Sequence, residues 1–128
     1  MCQRHQSPDA KRAQGDIEAD LARGVTSLWL CCDADVRQGR DGAASAVGSD
    51  AGLPCAGLDA LDALLARVSL DKTGVVLDAG GNGLGAAALL LALAQRRGVK
   101  ASALRGGVAA DPLGALLRDG VLPGGLEL

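Results

Sequence analysis

The residues best suited to chemistry in this 128-residue chain gather around Asp78. Gly74-Val75-Val76-Leu77 reads as a short buried strand ending at Asp78, and Ala86 to Arg97 reads as a helix. Between them lies the glycine-rich turn Ala79-Gly80-Gly81-Asn82-Gly83-Leu84-Gly85. Glycines at a strand-to-helix turn let successive backbone N–H groups converge, and the helix start adds positive potential, so the turn is expected to be an anion-binding loop. A carboxylate at its base, Asp78, would accept those N–H groups itself and be favoured in its ionised form, filling the pocket from within.

The thiols offer a second chemistry. Cys55 precedes Gly57 at a predicted helix start, where the dipole would lower its pKa, which makes it the candidate reactive thiol. Cys31 and Cys32 end an apolar run, and adjacent strand residues point to opposite faces, so this pair fills two sides of a sheet. With no C-x-x-C spacing and one histidine, His5, neither a disulfide framework nor a zinc site is expected. Asp33-Ala34-Asp35 resembles the D-x-D strand end of haloacid-dehalogenase-type phosphatases, where the first aspartate attacks and the second is acid and base. The plainer reading pairs Asp35 with Arg37 or a neighbour.

Positioning these groups requires strands alternating with helices. A polar leader covers residues 1 to about 15. Asp16 to Arg23 forms a short helix stopped by Gly24, and Val25 to Cys32 is a strand apolar on both faces. A short strand is conceivable near Ala44 to Val47. Leu58, Leu61, Leu64, Leu65 and Val68 repeat at helical spacing opposite Asp59, Asp62 and Arg67. Val99 to Leu104 reads as the next strand, and Val108 to Asp119 as a final helix broken near Asp111-Pro112. This alternation implies a parallel α/β sheet with right-handed crossovers.

Composition removes whole classes of function. Thirteen basic against fifteen acidic residues leave a net charge of -2 without a basic tract, so neither nucleic acid nor an anionic membrane is an expected partner. Trp29 is the only aromatic residue, which removes stacking platforms for bases. A core of leucine, valine and alanine is thinly filled, and a protein partner or a homo-oligomer would help it. The longest apolar run, Ala86 to Ala94, is nine residues, too short for a bilayer, and no secretory signal opens the chain, so a cytoplasmic protein is expected.

Three families share parts of the Asp78 loop. A dinucleotide fingerprint would need a third glycine and a following acid that are absent here. Val76-Leu77-Asp78-Ala79-Gly80-Gly81-Asn82-Gly83 resembles the first motif of S-adenosylmethionine-dependent methyltransferases, which makes a methyltransferase-like fragment one expectation. The longest resemblance, from about Asp16 to Gly124, is to the rhodanese-like family. It rests on a leading helix, Asp35-Val36-Arg37, Pro54 before an amphipathic helix, Lys72-Thr73-Gly74-Val75-Val76-Leu77, the loop with its alanine and leucine helix, the turn Ala103-Leu104-Arg105-Gly106-Gly107-Val108-Ala109-Ala110, and the ending Gly120-Val121-Leu122-Pro123.

That resemblance implies an α/β fold, a small parallel-sheet, three-layer rhodanese-like domain over 16–124 behind a flexible leader over 1–15. Asp78 stands where the family has its catalytic cysteine, and a carboxylate cannot carry a persulfide. The implied function is a catalytically inactive binding or regulatory module without a cofactor, its loop supported by Asp35 and Arg37. The enzymatic alternative is a sulfurtransferase working through Cys55.

Overall fold

Three strand-to-strand crossovers carry the chain in one direction across a parallel sheet. The computed structural model describes residues 1–39, 52–120 and 122. Its elements run β1 (Cys2–His5), α1 (Ala10–Ala22), β2 (Ser27–Cys31), α2 (Ala34–Arg37), α3 (Leu58–Leu64), β3 (Gly74–Asp78), α4 (Gly83–Arg96), a single 3-10 turn (Ala101–Ala103), β4 (Gly106–Ala109) and α5 (Pro112–Asp119). The strands lie in the order β1-β2-β3-β4, every pair parallel.

A right-handed crossover taken repeatedly in the same direction returns each helix to the same face of the sheet. The register shows the consequence residue by residue. His5, Leu30, Leu77 and Val108 lie abreast, as do Arg4, Trp29, Val76 and Gly107 one position earlier. The first row and its neighbours Leu28 and Val75 face the helices, and Leu28, Leu30, Val75 and Leu77 have no exposed surface. Ala13 and Ile17 of α1, Leu61 and Leu64 of α3, and Leu90, Leu93 and Ala94 of α4 complete that core. The second row looks away from the helices, and Trp29, Val76 and Asp78 are half-buried there. The expected α/β class and parallel sheet are therefore present. The expected third layer is not found among the described residues.

Four of the five described helices, all but α3, start at a side-chain cap. The side chains of Asp9, Asp33, Asn82 and Asp111 accept from the backbone N–H groups of Arg12, Val36, Gly85 and Gly114 at 3.0, 3.0, 3.3 and 2.8 Å, which satisfies donors that a first turn leaves open. Gly106 has φ +112°, and a side chain there would collide with the Val75 carbonyl, so only glycine lets β4 close on β3. Arg97, just past α4, locks the helix layer. Its guanidinium donates to the Asp62 carboxylate at 2.8 Å and to the backbone carbonyls of Asp62, Leu65 and Val68 at 2.8 to 3.1 Å, capping α3. Arg96 donates to Asp59 beside it at 2.7 Å.

Several expected boundaries move. The leader expected over 1–15 instead holds an edge strand and the start of α1. Met1 O accepts from Thr26 N and Ser27 N, Cys2 to His5 pair with Ser27 to Leu30, and His5 is buried. Asp9 caps α1 in place of Asp16. The strand expected over Val99–Leu104 is a 3-10 turn, and the strand lies later at Gly106–Ala109, where two glycines hide its β character. The candidate strand at Ala44–Val47 lies outside the described residues.

If the core is one-sided, Leu77→Ala should lower stability by about 2–5 kcal/mol, while Val76→Ala, one residue away, should cost under about 1 kcal/mol in denaturant titration. Equal losses would mean a second covered face. Arg97→Ala should cost about 2–3 kcal/mol through the unsatisfied α3 carbonyls, and Arg97→Lys should recover little of it. The hydrogen bond from Arg97 holds Asp62 below the usual carboxylate range. A depressed carboxylate contributes stability above about pH 4 and loses it as pH falls through its lowered value. The gap in melting midpoint between wild type and Asp62→Asn should therefore be open at neutral pH and close on acidification.

Candidate functional site

The polar side chains that the fold gathers lie on the sheet face without helices. Arg4 comes from β1, Trp29 and Cys31 from β2, Val76 and Asp78 from β3, and Gly107 and Ala109 from β4. Trp29 Nε1 donates to Asp78 Oδ2 at 3.1 Å, and Arg4 Nε donates to Cys31 Sγ at 2.9 Å. The Cys31 thiol in turn lies 3.9 Å from Asp78 Oδ2. A connected network, Arg4–Cys31–Asp78–Trp29, thus spans three strands. Burial pushes the Cys31 thiol up, against the opposing pull of the Arg4 hydrogen bond. It remains a thiol at neutral pH and a weak nucleophile. The Arg4 guanidinium is held even more firmly charged by Cys31 and Asp78.

Asp78 therefore does not sit where the sequence reading put it. Its carboxylate turns onto the open face toward Trp29, away from the glycine loop. Within the loop, Ala79 N donates to Ala109 O, Asn82 N to Ala79 O, and Gly85 N to the Asn82 side chain. Asn82 Nδ2 reaches Val36 O at 2.8 Å. Gly80 takes φ +55° and its carbonyl accepts from Asp111 N, which ties the loop to the start of α5. Gly83 lies so close to Ala110 that a side chain would clash, Gly81 is half-buried, and Leu84 is exposed. These groups join four elements.

The other expected residues are scattered. Arg37 is in α2, where its Nη1 donates to Cys32 O at 3.1 Å and its stem lies beside Gly80. Asp35 is buried on the same short helix, and Asp33 caps it, so the D-x-D pair is not presented together as nucleophile and acid. Cys55 is fully buried in the core two residues before the α3 N-cap Gly57. Its hydrogen bond with Cys32, together with burial, drives the Cys32 thiol far up. A cleft of about 180 Å³ joins Cys55 to the loop, lined by Val36, Gly39, Cys55, Ala56, Asn82 and Leu89. That is below the roughly 300 Å³ of a small-molecule site.

Among the described residues no three of His, Cys, Asp and Glu could hold a metal ion. The single histidine, His5, is buried with Nε2 3.5 Å from Asp20. No helix among these residues is long and apolar enough to cross a membrane. Arg4 and Trp29 escaped the sequence reading. The visible sign was the placing of the lone aromatic between Leu28 and Leu30, where alternation sends it to the face opposite the core.

Asp78→Ala should leave Trp29 Nε1 without its acceptor at a half-buried position, costing about 0.5–1.5 kcal/mol and shifting Trp29 emission. Amide exchange at Gly80 to Gly85 should not change. Loosening of that loop would instead place the carboxylate under it.

A family model described as methylmalonyl-CoA mutase matches residues 1–126. A methylmalonyl-CoA mutase small subunit from Streptomyces virginiae is 42% identical over 119 residues, covering 92% of this chain and 16% of the relative. These findings overturn the rhodanese-like resemblance. With it fall the inactive rhodanese module, the sulfurtransferase through Cys55 and the methyltransferase-like fragment. The physical reason is that Gly-Gly-Asn-Gly and Arg-Gly-Gly are turn chemistry that many strand-to-helix connections share, and Asp78 occupies no catalytic-cysteine niche beneath a loop. Over residues 1–126, leader and sheet alike, the chain belongs to the methylmalonyl-CoA mutase family.

Proposed function

We propose that this chain is a scaffold and docking segment of a mutase small subunit: half of a β/α barrel whose helix-free face forms part of the barrel interior. It pairs with a large subunit and does not itself carry the rearrangement. The winding supports the barrel reading, because consecutive parallel strands with all helices outside are how a barrel is built, whereas a doubly wound sheet reverses its order.

The single observation that carries the non-catalytic part lies at the carboxyl ends of the strands. Reactive side chains of β/α barrels sit there. Among the described residues, one polar side chain after each strand, Asp9, Asp33, Asn82 and Asp111, caps the next helix. The interior-facing Cys31 thiol is pushed up by burial and accepts from Arg4, and Trp29 donates to Asp78. The chain spans 16% of the relative's length.

In a direct assay the isolated chain should leave methylmalonyl-CoA unconverted and release no heat on titration with it, while the immobilised large subunit of the relative's mutase retains it. Turnover by the chain alone would contradict the scaffold reading. Failure of the large subunit to retain the chain would contradict the docking reading.

A further inference from the structure

Two of the four cysteines meet on the helix side of the sheet. Pleating sends Leu28, Leu30 and then Cys32 to the covered face, and Cys31 to the other. Just past β2 a second extended piece of chain joins: Cys32 bridges Leu53 in parallel, Leu53 N donates to Cys31 O at 2.8 Å, and Asp33 N donates to Leu53 O at 3.1 Å. Gly52 lies so close to the Asp33 backbone that a side chain would clash. Cys55 N turns back to donate to Leu53 O at 2.9 Å, and the Cys55 and Cys32 thiols share a hydrogen bond. Neither has exposed surface.

The pair is asymmetric. Cys55 stands in the wall of the cleft of about 180 Å³ beside Val36, Asn82 and Leu89, whereas Cys32 is not among the lining residues and lies behind it. A space of that size suits a molecule of a few heavy atoms and is too small for a drug-sized one. The other two cysteines lack such a partner: Cys2 is exposed, and Cys31 is engaged with Arg4 on the opposite face from Cys32.

We propose that Cys55 and Cys32 form a peroxide-responsive dithiol, in which Cys55 takes a small hydroperoxide from the cleft and Cys32 resolves the product to a disulfide. The oxidant comes from solution. With hydrogen peroxide, the Cys55 sulfur attacks one oxygen, the O–O bond breaks and an S–O bond forms, and the thiol proton leaves with the displaced hydroxide as water. Cys32 sulfur then attacks the Cys55 sulfenic acid: the S–O bond breaks, the S–S bond forms, and the Cys32 proton leaves with hydroxide as a second water. The sulfur pair loses two electrons and the peroxide gains them. Burial and the hydrogen bond to Cys55 push the Cys32 thiol far up, so it keeps its proton until that second step, as a resolving thiol should. The disulfide is neutral, which suits the apolar core that holds both sulfurs. This dithiol goes beyond the scaffold role and stands or falls separately from it.

The test treats the folded full chain with hydrogen peroxide, removes the excess with catalase, alkylates the remaining thiols in denaturant and maps the peptides by mass. Cys2→Ser is the starting chain, because an exposed thiol would link one chain to another. The expected product is lighter by two hydrogens, has two fewer free thiols, joins Cys32 to Cys55 with Cys31 still alkylated, and returns to the dithiol with dithiothreitol. In Cys32→Ser, Cys55 should gain oxygen without a cross-link, and in Cys55→Ser, Cys32 should stay a thiol.

Alkylation of both Cys32 and Cys55 after peroxide, in protein that far-UV circular dichroism shows to be folded, would overturn the proposal. A link formed only after unfolding in urea, or one that joins Cys31, would also overturn it. Oxidation of Cys32 in Cys55→Ser would reverse the assigned roles and so contradict it. The peptide map of the starting chain needs neither core variant, so it decides the matter even if both fail to fold.

Discussion

Three right-handed crossovers stepping the same way leave no choice about where the helices go, and that handedness governs the rest of the molecule. Because α1, α3 and α4 share one face, only one row of side chains in each strand can be buried against them. The middle strands therefore alternate: Leu28 and Leu30 inward with Trp29 outward, Val75 and Leu77 inward with Val76 and Asp78 outward. The helix layer then needs its own fastening, which Arg97 supplies by holding the end of α3 to the end of α4.

Seen from the sheet's free face, the polar network follows from the same alternation. A tryptophan on a strand with no helix above it is half-buried at best, and its N–H finds the nearest acceptor on the next strand, Asp78. Arg4, on the edge strand, lies over Cys31 and closes the row. These contacts neutralise the face without preparing it for attack: the thiol is protonated, the carboxylate is engaged, and the polar residues at the strand ends hold helices in place.

How legible this was in the sequence depended on how strongly each element was patterned. β3 ends at Asp78 as read, and α4 differs from its expected span by a few residues, because a continuous apolar run and a long alanine and leucine helix bounded by glycines leave little room. β1 was invisible because Cys-Gln-Arg-His has no apolar alternation; it is held by register with β2 and by the docking of His5. β4 was displaced by the more strand-like Val99–Leu104. The direction of winding cannot be read from a strand and helix alternation, which is common to singly and doubly wound sheets, so the α/β class was legible while the number of layers was not. Asp78 was singled out as the centre of the site, but its partner was misassigned because sequence neighbours suggested the loop, while pleating turns it to Trp29 across the sheet.

The strand order is the claim on which the core and the helix-free face both depend. Inter-strand nuclear Overhauser contacts in labelled protein measure it directly. The structure requires contacts between His5 and Leu30, between Leu30 and Leu77, and between Leu77 and Val108, with none between His5 and Leu77 backbone protons. A direct β1–β3 contact would make the sheet doubly wound, put helices on both faces, and contradict the account from the core outward.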